Sequence, residues 1–147
     1  MMPKQDLDQR DNIAKLVRTF YGRVRQDELL GPFFNGTITT EEAWESHYDL
    51  LISFWELNLL GKPGFDGNPA RAHHGVDKHF RNSISTAHFD RWVALWSTVI
   101  DELFEGEMAE KAKTKAAGMA KGMYKKILDK RPGGFIVPGS ASGLSFG

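Results

Sequence analysis

The sequence of 147 residues contains no cysteine. Disulfides, zinc–thiolate sites and thiol chemistry are therefore excluded. It has no excess charge of either sign: nineteen Lys and Arg balance nineteen Asp and Glu. No net positive field would recruit phosphates, which argues against nucleic acid as a partner. No apolar run approaches the roughly 18 residues that a membrane span requires. The polar stretch from Met1 to Asp11 lacks the apolar region of a secretory signal. The expectation is a soluble, cytoplasmic protein that engages neither nucleic acid nor membrane. Internal repeats and convincing strand patterns are absent. So are a repeated Glu-x-x-His pair, His-Glu-x-x-His and a Gly-x-x-x-x-Gly-Lys phosphate loop, and nothing suggests a Ser–His–Asp arrangement.

What is present is aromatic. Ten Phe, four Trp and three Tyr make up 12% of the chain. Rings are routine core filler, but a bundle core can be built from Leu, Ile and Ala alone. The excess, concentrated between Phe20 and Phe104, suits either an aromatic core or walls around a flat, apolar guest. The length fits one domain that buries roughly two-thirds of its unfolded surface.

Apolar spacing predicts four substantial helices and one short one. The first covers 11–26, with Ile13, Leu16, Val17, Phe20, Tyr21 and Val24 on one face and Asp11 or Asn12 as cap. Gly31-Pro32-Phe33-Phe34-Asn35-Gly36 stops it, with Phe33 or Phe34 plugging a corner. Thr39 and Glu42 form a capping box for a helix to about Leu60, on which Trp44, His47, Leu51, Phe54 and Asn58 share a stripe. Gly61 and Pro63 end it. After a Gly-rich break, Asn68 and Pro69 suit the cap and first residue of a short helix carrying His73. A short polar helix with one imidazole is either a surface loop that happens to contain His or a ligand to iron. Arg71, His74, His79 and Arg81 make its surroundings basic, available to a carboxylate-bearing ligand or to solvent. Ser85 or Thr86 caps a helix to about Phe104 with Phe89, Trp92, Val93, Trp96, Val99, Ile100 and Leu103 inward. A last helix spans about 107–130, burying Met108, Ala112, Ala116, Met119, Met123 and Ile127. Residues 1–130 form the domain, and 131–147 read as a flexible Gly/Ser/Pro-rich tail.

Tyr21 and Trp92 both lie on apolar faces and both need a hydrogen-bond partner when buried. A structural acceptor satisfies either; so does a ligand. One imidazole able to act as an axial ligand, an apolar slot and a few polar groups opposite it together describe a haem pocket.

These residues, in this order, resemble the truncated haemoglobins, specifically group III, from about Ile13 to Leu128. Phe20-Tyr21 with Val24-Arg25 is similar to the segment bearing the distal tyrosine. Gly31-Pro32-Phe33-Phe34 is similar to the corner that packs on the haem, Trp44-x-x-His47 with Phe54-Trp55 to the distal helix, and Phe89-x-x-Trp92 to the tryptophan facing the distal pocket. Gly67-x-Pro69-x-x-x-His73 resembles the proximal segment, although His74-Gly75-Val76 follows where the family often has Leu and a later Pro. The resemblance implies an all-α truncated globin fold, a helical sandwich around haem b. It implies His73 as iron ligand and haem contacts from Phe34, His47, Leu51, Phe54, Trp55, His73 and Trp92. It further implies Tyr21, His47 and Trp92 facing O2 or another diatomic ligand, with five-coordinate or bis-histidyl iron. Reversible gas binding is the expected function. A haem redox activity, peroxidase-like or acting on nitric oxide through an unidentified reductase, is the alternative. The expected state is a monomer or weak dimer.

Overall fold

The computed structural model describes residues 3–65, 67, 75–78 and 83–130. Asn68, Pro69, Arg71, His73, His74, His79, Arg81 and the tail 131–147, for which the sequence made specific expectations, lie outside the described residues.

Among the described residues the chain is helical, with one isolated bridge between Gln5 and Phe104 and no strand. The helices are α1 (Arg10–Val24), α2 (Gly31–Thr37), α3 (Glu41–Leu60), α4 (Thr86–Leu103) and α5 (Glu107–Lys130). A further helical turn lies at 75–78. The fold is all-α, as the periodicity implied. No described helix is long and apolar enough to cross a membrane.

Three local expectations are corrected. The segment after α1 is not merely a stop: Gly31–Thr37 is itself a helix, with Pro32 in its first turn. Proline's fixed φ suits a helix start as well as an ending. The Asp27 carboxylate accepts the Leu29 and Leu30 N–H groups at 3.1 and 3.0 Å just ahead of this helix. Gly31 must be small, because a Cβ there would come within 3.0 Å of the Arg25 carbonyl oxygen. The cap of α3 is Thr40, not Thr39: its Oγ1 accepts the Ala43 N–H at 3.0 Å, with Glu41 and Glu42 in the first turn. Both threonines have a glutamate nearby, so spacing alone could not choose between them. Finally, α1 is preceded by Gln9 rather than capped by Asp11 or Asn12.

Helix α1 packs across both α3 and α4, and α4 lies along α5. Ala109, Ala112, Ala116 and Ala120 give α5 a narrow buried side, so bulk comes from α4. Trp96, fully buried, stacks on Trp55 at 4.7 Å and on Trp92 at 5.7 Å, while Phe20 meets it edge-on at 5.0 Å. Its indole N–H donates to the Ala112 carbonyl at 3.2 Å, which joins α4 to α5 at their centre.

The N-terminal segment, polar by composition, belongs to this core. The Glu105 N–H donates to the Gln5 carbonyl at 3.0 Å, and Leu7 is wholly buried. The Asp6 carboxylate accepts the Met108 and Ala109 N–H groups at 3.1 and 2.8 Å and so caps α5 from a distant part of the chain. An anion there also suits the positive end of the helix dipole. Gly106 turns the corner at φ +129°, a conformation that side chains disfavour.

Candidate functional site

The α3 stripe read from sequence fills the protein core only in part, through Trp44. Trp44, Tyr48, Ile52, Trp55 and Leu59 are buried there, whereas His47, Leu51 and Phe54 are half-buried. The latter three line a cavity of about 360 Å³. Core contact and cavity contact are thus overlapping strips of one helix: Trp55 is fully buried and lines the cavity, and Leu51 and Phe54 line it while packing against the core from its edge.

The other helices contribute walls in the same way. Tyr21 enters from α1, and Leu30, Phe33, Phe34 and Ile38 from the α2 corner. Helix α4 supplies His88, Phe89 and Trp92, and α5 supplies Met119 and Met123. Phe65, from the break after α3, closes one end against Phe54 at 5.0 Å. Of the residues singled out in the sequence, Tyr21, Phe34, His47, Leu51, Phe54, Trp55 and Trp92 are brought together around this one space. His73 lies outside the described residues.

The polar groups inside are few. Tyr21, 4% exposed, sits edge-on to Phe20 at 4.7 Å and to His47 at 5.4 Å. Burial pushes its hydroxyl far above the usual tyrosine range, against the opposing effect of a hydrogen bond from Trp92. The hydroxyl therefore stays protonated, accepting from the indole and keeping its own proton to donate. His47 is set among rings, 5.6 Å from Trp44 and 6.5 Å from Phe34. Outside this cluster Arg25 lies over the Trp44 ring at 4.6 Å and pairs with Glu41 at 2.7 Å. Such exposed pairs contribute little each, about 0–1 kcal/mol, but they tie α1 to the start of α3.

The α2 wall is held by a better-buried pair. The Asp27 side chain is 5% exposed and meets Arg91 of α4 at 2.7 Å. Burial alone would raise its carboxyl, but Arg91 and the Leu30 and Leu29 N–H groups outweigh that and hold it below the usual carboxylate range. A carboxyl depressed by folding stabilises the protein above its unfolded value, near pH 4, and the contribution is lost as pH falls through the folded value. Urea unfolding across pH 2–7 should show this. Asp27→Asn should be less stable than the parent at pH 7 by about 1–2 kcal/mol, and the gap should close in acid. A gap independent of pH would remove Asp27 from this role.

His88 is a cavity residue that the periodicity did not reveal. It stands three positions after the α4 N-cap, Ser85, in a reciprocal capping box. The Ser-x-x-His spacing was the available signal, with His where Glu or Gln is usual. Among the described residues no three His, Asp or Glu side chains converge on a possible metal ion.

No protein-family model matches the chain. A curated protein of Campylobacter jejuni, group 3 truncated hemoglobin ctb, is 32% identical over 99 residues, 67% of this chain and 74% of that protein. The crystal structure of a group III truncated hemoglobin from Campylobacter jejuni superposes with a TM-score of 0.73 at 29% identity, covering 82% of this chain and 91% of the other.

Proposed function

The chain belongs to the group 3 truncated haemoglobins, and from that premise we propose that it carries haem b in the cavity and reversibly binds O2, with other diatomic gases as further ligands. The residues fit the group. A space of about 360 Å³ is within the roughly 300–1,000 Å³ of small-molecule sites, and its walls are mostly rings and aliphatic chains with few polar atoms. The observation that carries the reading is the cavity itself, a largely apolar space that Tyr21, His47 and Trp92 all line.

Haem, when bound, supplies the iron to which a diatomic gas ligates. His73 is the proposed iron ligand, an imidazole coordinating through one ring nitrogen while the other is oriented by an acceptor. Phe34, Leu51, Phe54 and Trp55 exclude water and hold the flat group by contact. Tyr21, its hydroxyl kept protonated by burial, would donate a hydrogen bond to a bound gas. Trp92 fixes the phenol in that direction by donating to its oxygen. In a dry pocket such a bond is stronger than in water. Several donors slow ligand escape, which suits sensing, scavenging or redox chemistry better than bulk transport. His47, half-buried beside Tyr21, would either support these donors or itself ligate the iron.

The test is an absorption spectrum of protein produced with ample haem, recorded oxidised, reduced and with CO. A Soret band that shifts on reduction and again with CO supports the reading, and a colourless protein ends it. The ferric spin state reports which position His47 takes.

A further inference from the structure

We propose that His88 is a carboxylate-binding residue at the rim of the cavity, its Nε2–H donating to one propionate arm of the haem. The inference rests on the haem reading.

The cavity has six side chains with a polar group among the described residues: Tyr21, Thr37, His47, Trp55, His88 and Trp92. A dianionic ligand edge needs donors at the mouth, where the flat group meets water, and most of the six are otherwise engaged or, like Trp55 stacked on Trp96, deeply buried. Tyr21 and Trp92 are bonded to each other. Thr37 gives its hydroxyl proton to the Phe33 carbonyl at 2.8 Å. His47 lies in the ring cluster with Tyr21, Phe34 and Trp44.

His88 differs because its state is set by its neighbours. Nδ1 accepts the Ser85 N–H at 2.9 Å and lies 3.0 Å from Ser85 Oγ. A ring nitrogen that accepts a backbone N–H carries no proton, so the neutral imidazole keeps its proton on Nε2. Among the described residues no acceptor meets that proton. Phe33 stands edge-on to the ring at 4.6 Å and 72°, which limits its rotation. Half-buried and at the cavity, His88 therefore offers one fixed donor. It stands in the first turn of the 18-residue α4, where the helix dipole also favours an anion. The capping box thus does two things: it starts α4, and it selects the tautomer that can bind a carboxylate.

The test separates these roles. His88→Glu keeps an acceptor at the capping position, where Glu is a usual residue, but replaces the donor by an anion. His88→Gln keeps both an acceptor and a donor. Haem release from the holoprotein to excess apomyoglobin is measured for each variant, reconstituted with haemin or with haemin dimethyl ester, which has no carboxylates. H88E should release haemin about tenfold faster or more, as expected for losing a charge-assisted hydrogen bond. It should release the dimethyl ester at the parent's rate, and H88Q should stay near the parent with both. Equal acceleration with both pigments, or none with haemin, overturns the proposal while leaving the haem reading intact. If the parent binds neither pigment, the haem reading fails and this inference with it.

Discussion

His73→Ala should yield a protein that loses its Soret band on purification or surrenders haem to an acceptor far faster than the parent, with its helical circular dichroism retained. Losing a group that merely orients a metal ligand costs roughly 10–100-fold in metal affinity, so losing the ligand itself should exceed that range. The helical frame should survive, because the described core is built from residues of α1, α3, α4 and α5. Added imidazole should restore pigment by filling the vacated coordination position. A variant with parental pigment and CO affinity would dismiss His73 as the iron ligand and turn attention to the adjacent His74.

Tyr21→Phe should raise the O2 dissociation rate. A hydrogen bond to a charged or strongly polarised partner contributes about 1.5–3 kcal/mol, and each 1.4 kcal/mol is about tenfold, so the increase should be roughly 10–100-fold. The substitution is mild for the fold, since the ring already rests against Phe20 and Phe34 at 4.7 and 5.6 Å. It also frees the Trp92 indole N–H, which in the parent donates to the Tyr21 oxygen. Part of the loss should therefore be recovered by Trp92 itself. Tyr21→Phe combined with Trp92→Phe should then release O2 faster than the two single effects predict together, the coupling expected of residues in one network. Stopped-flow dissociation reads all three rates, and an unchanged rate in Tyr21→Phe would remove that residue from ligand stabilisation.

Much of the frame was legible along the chain. The 3.6-residue rhythm of Ile13, Leu16, Val17, Phe20, Tyr21 and Val24 marks α1, and the same rhythm places Trp96, Val99 and Ile100 inside α4. Gly61, at φ +69°, ends α3 where a C-terminal glycine was expected. The stripe of His47, Leu51 and Phe54 was legible as apolar, but its meaning was not. Periodicity says which side chains share a face, not whether protein or an open cavity lies against it. Tyr21 and Trp92 were each legible as polar groups in need of a partner, but their finding each other depends on how α1 crosses α4.

The remaining features join distant parts of the chain. Asp6 caps a helix that begins a hundred residues later, Arg10 pairs with the nearly buried Glu56 at 2.9 Å, and Asp27 ties the α2 corner to Arg91. His88 looks like an ordinary helix-start residue until Phe33 and the cavity are set beside it. By itself the sequence determined where the four long helices run and the buried sides of α1 and α4, because spacing, caps and glycines act between near neighbours. Tertiary structure alone decided which of those sides fill the core and which face the cavity, and which charges are paired. Those outcomes depend on distances between helices, and no local spacing encodes them.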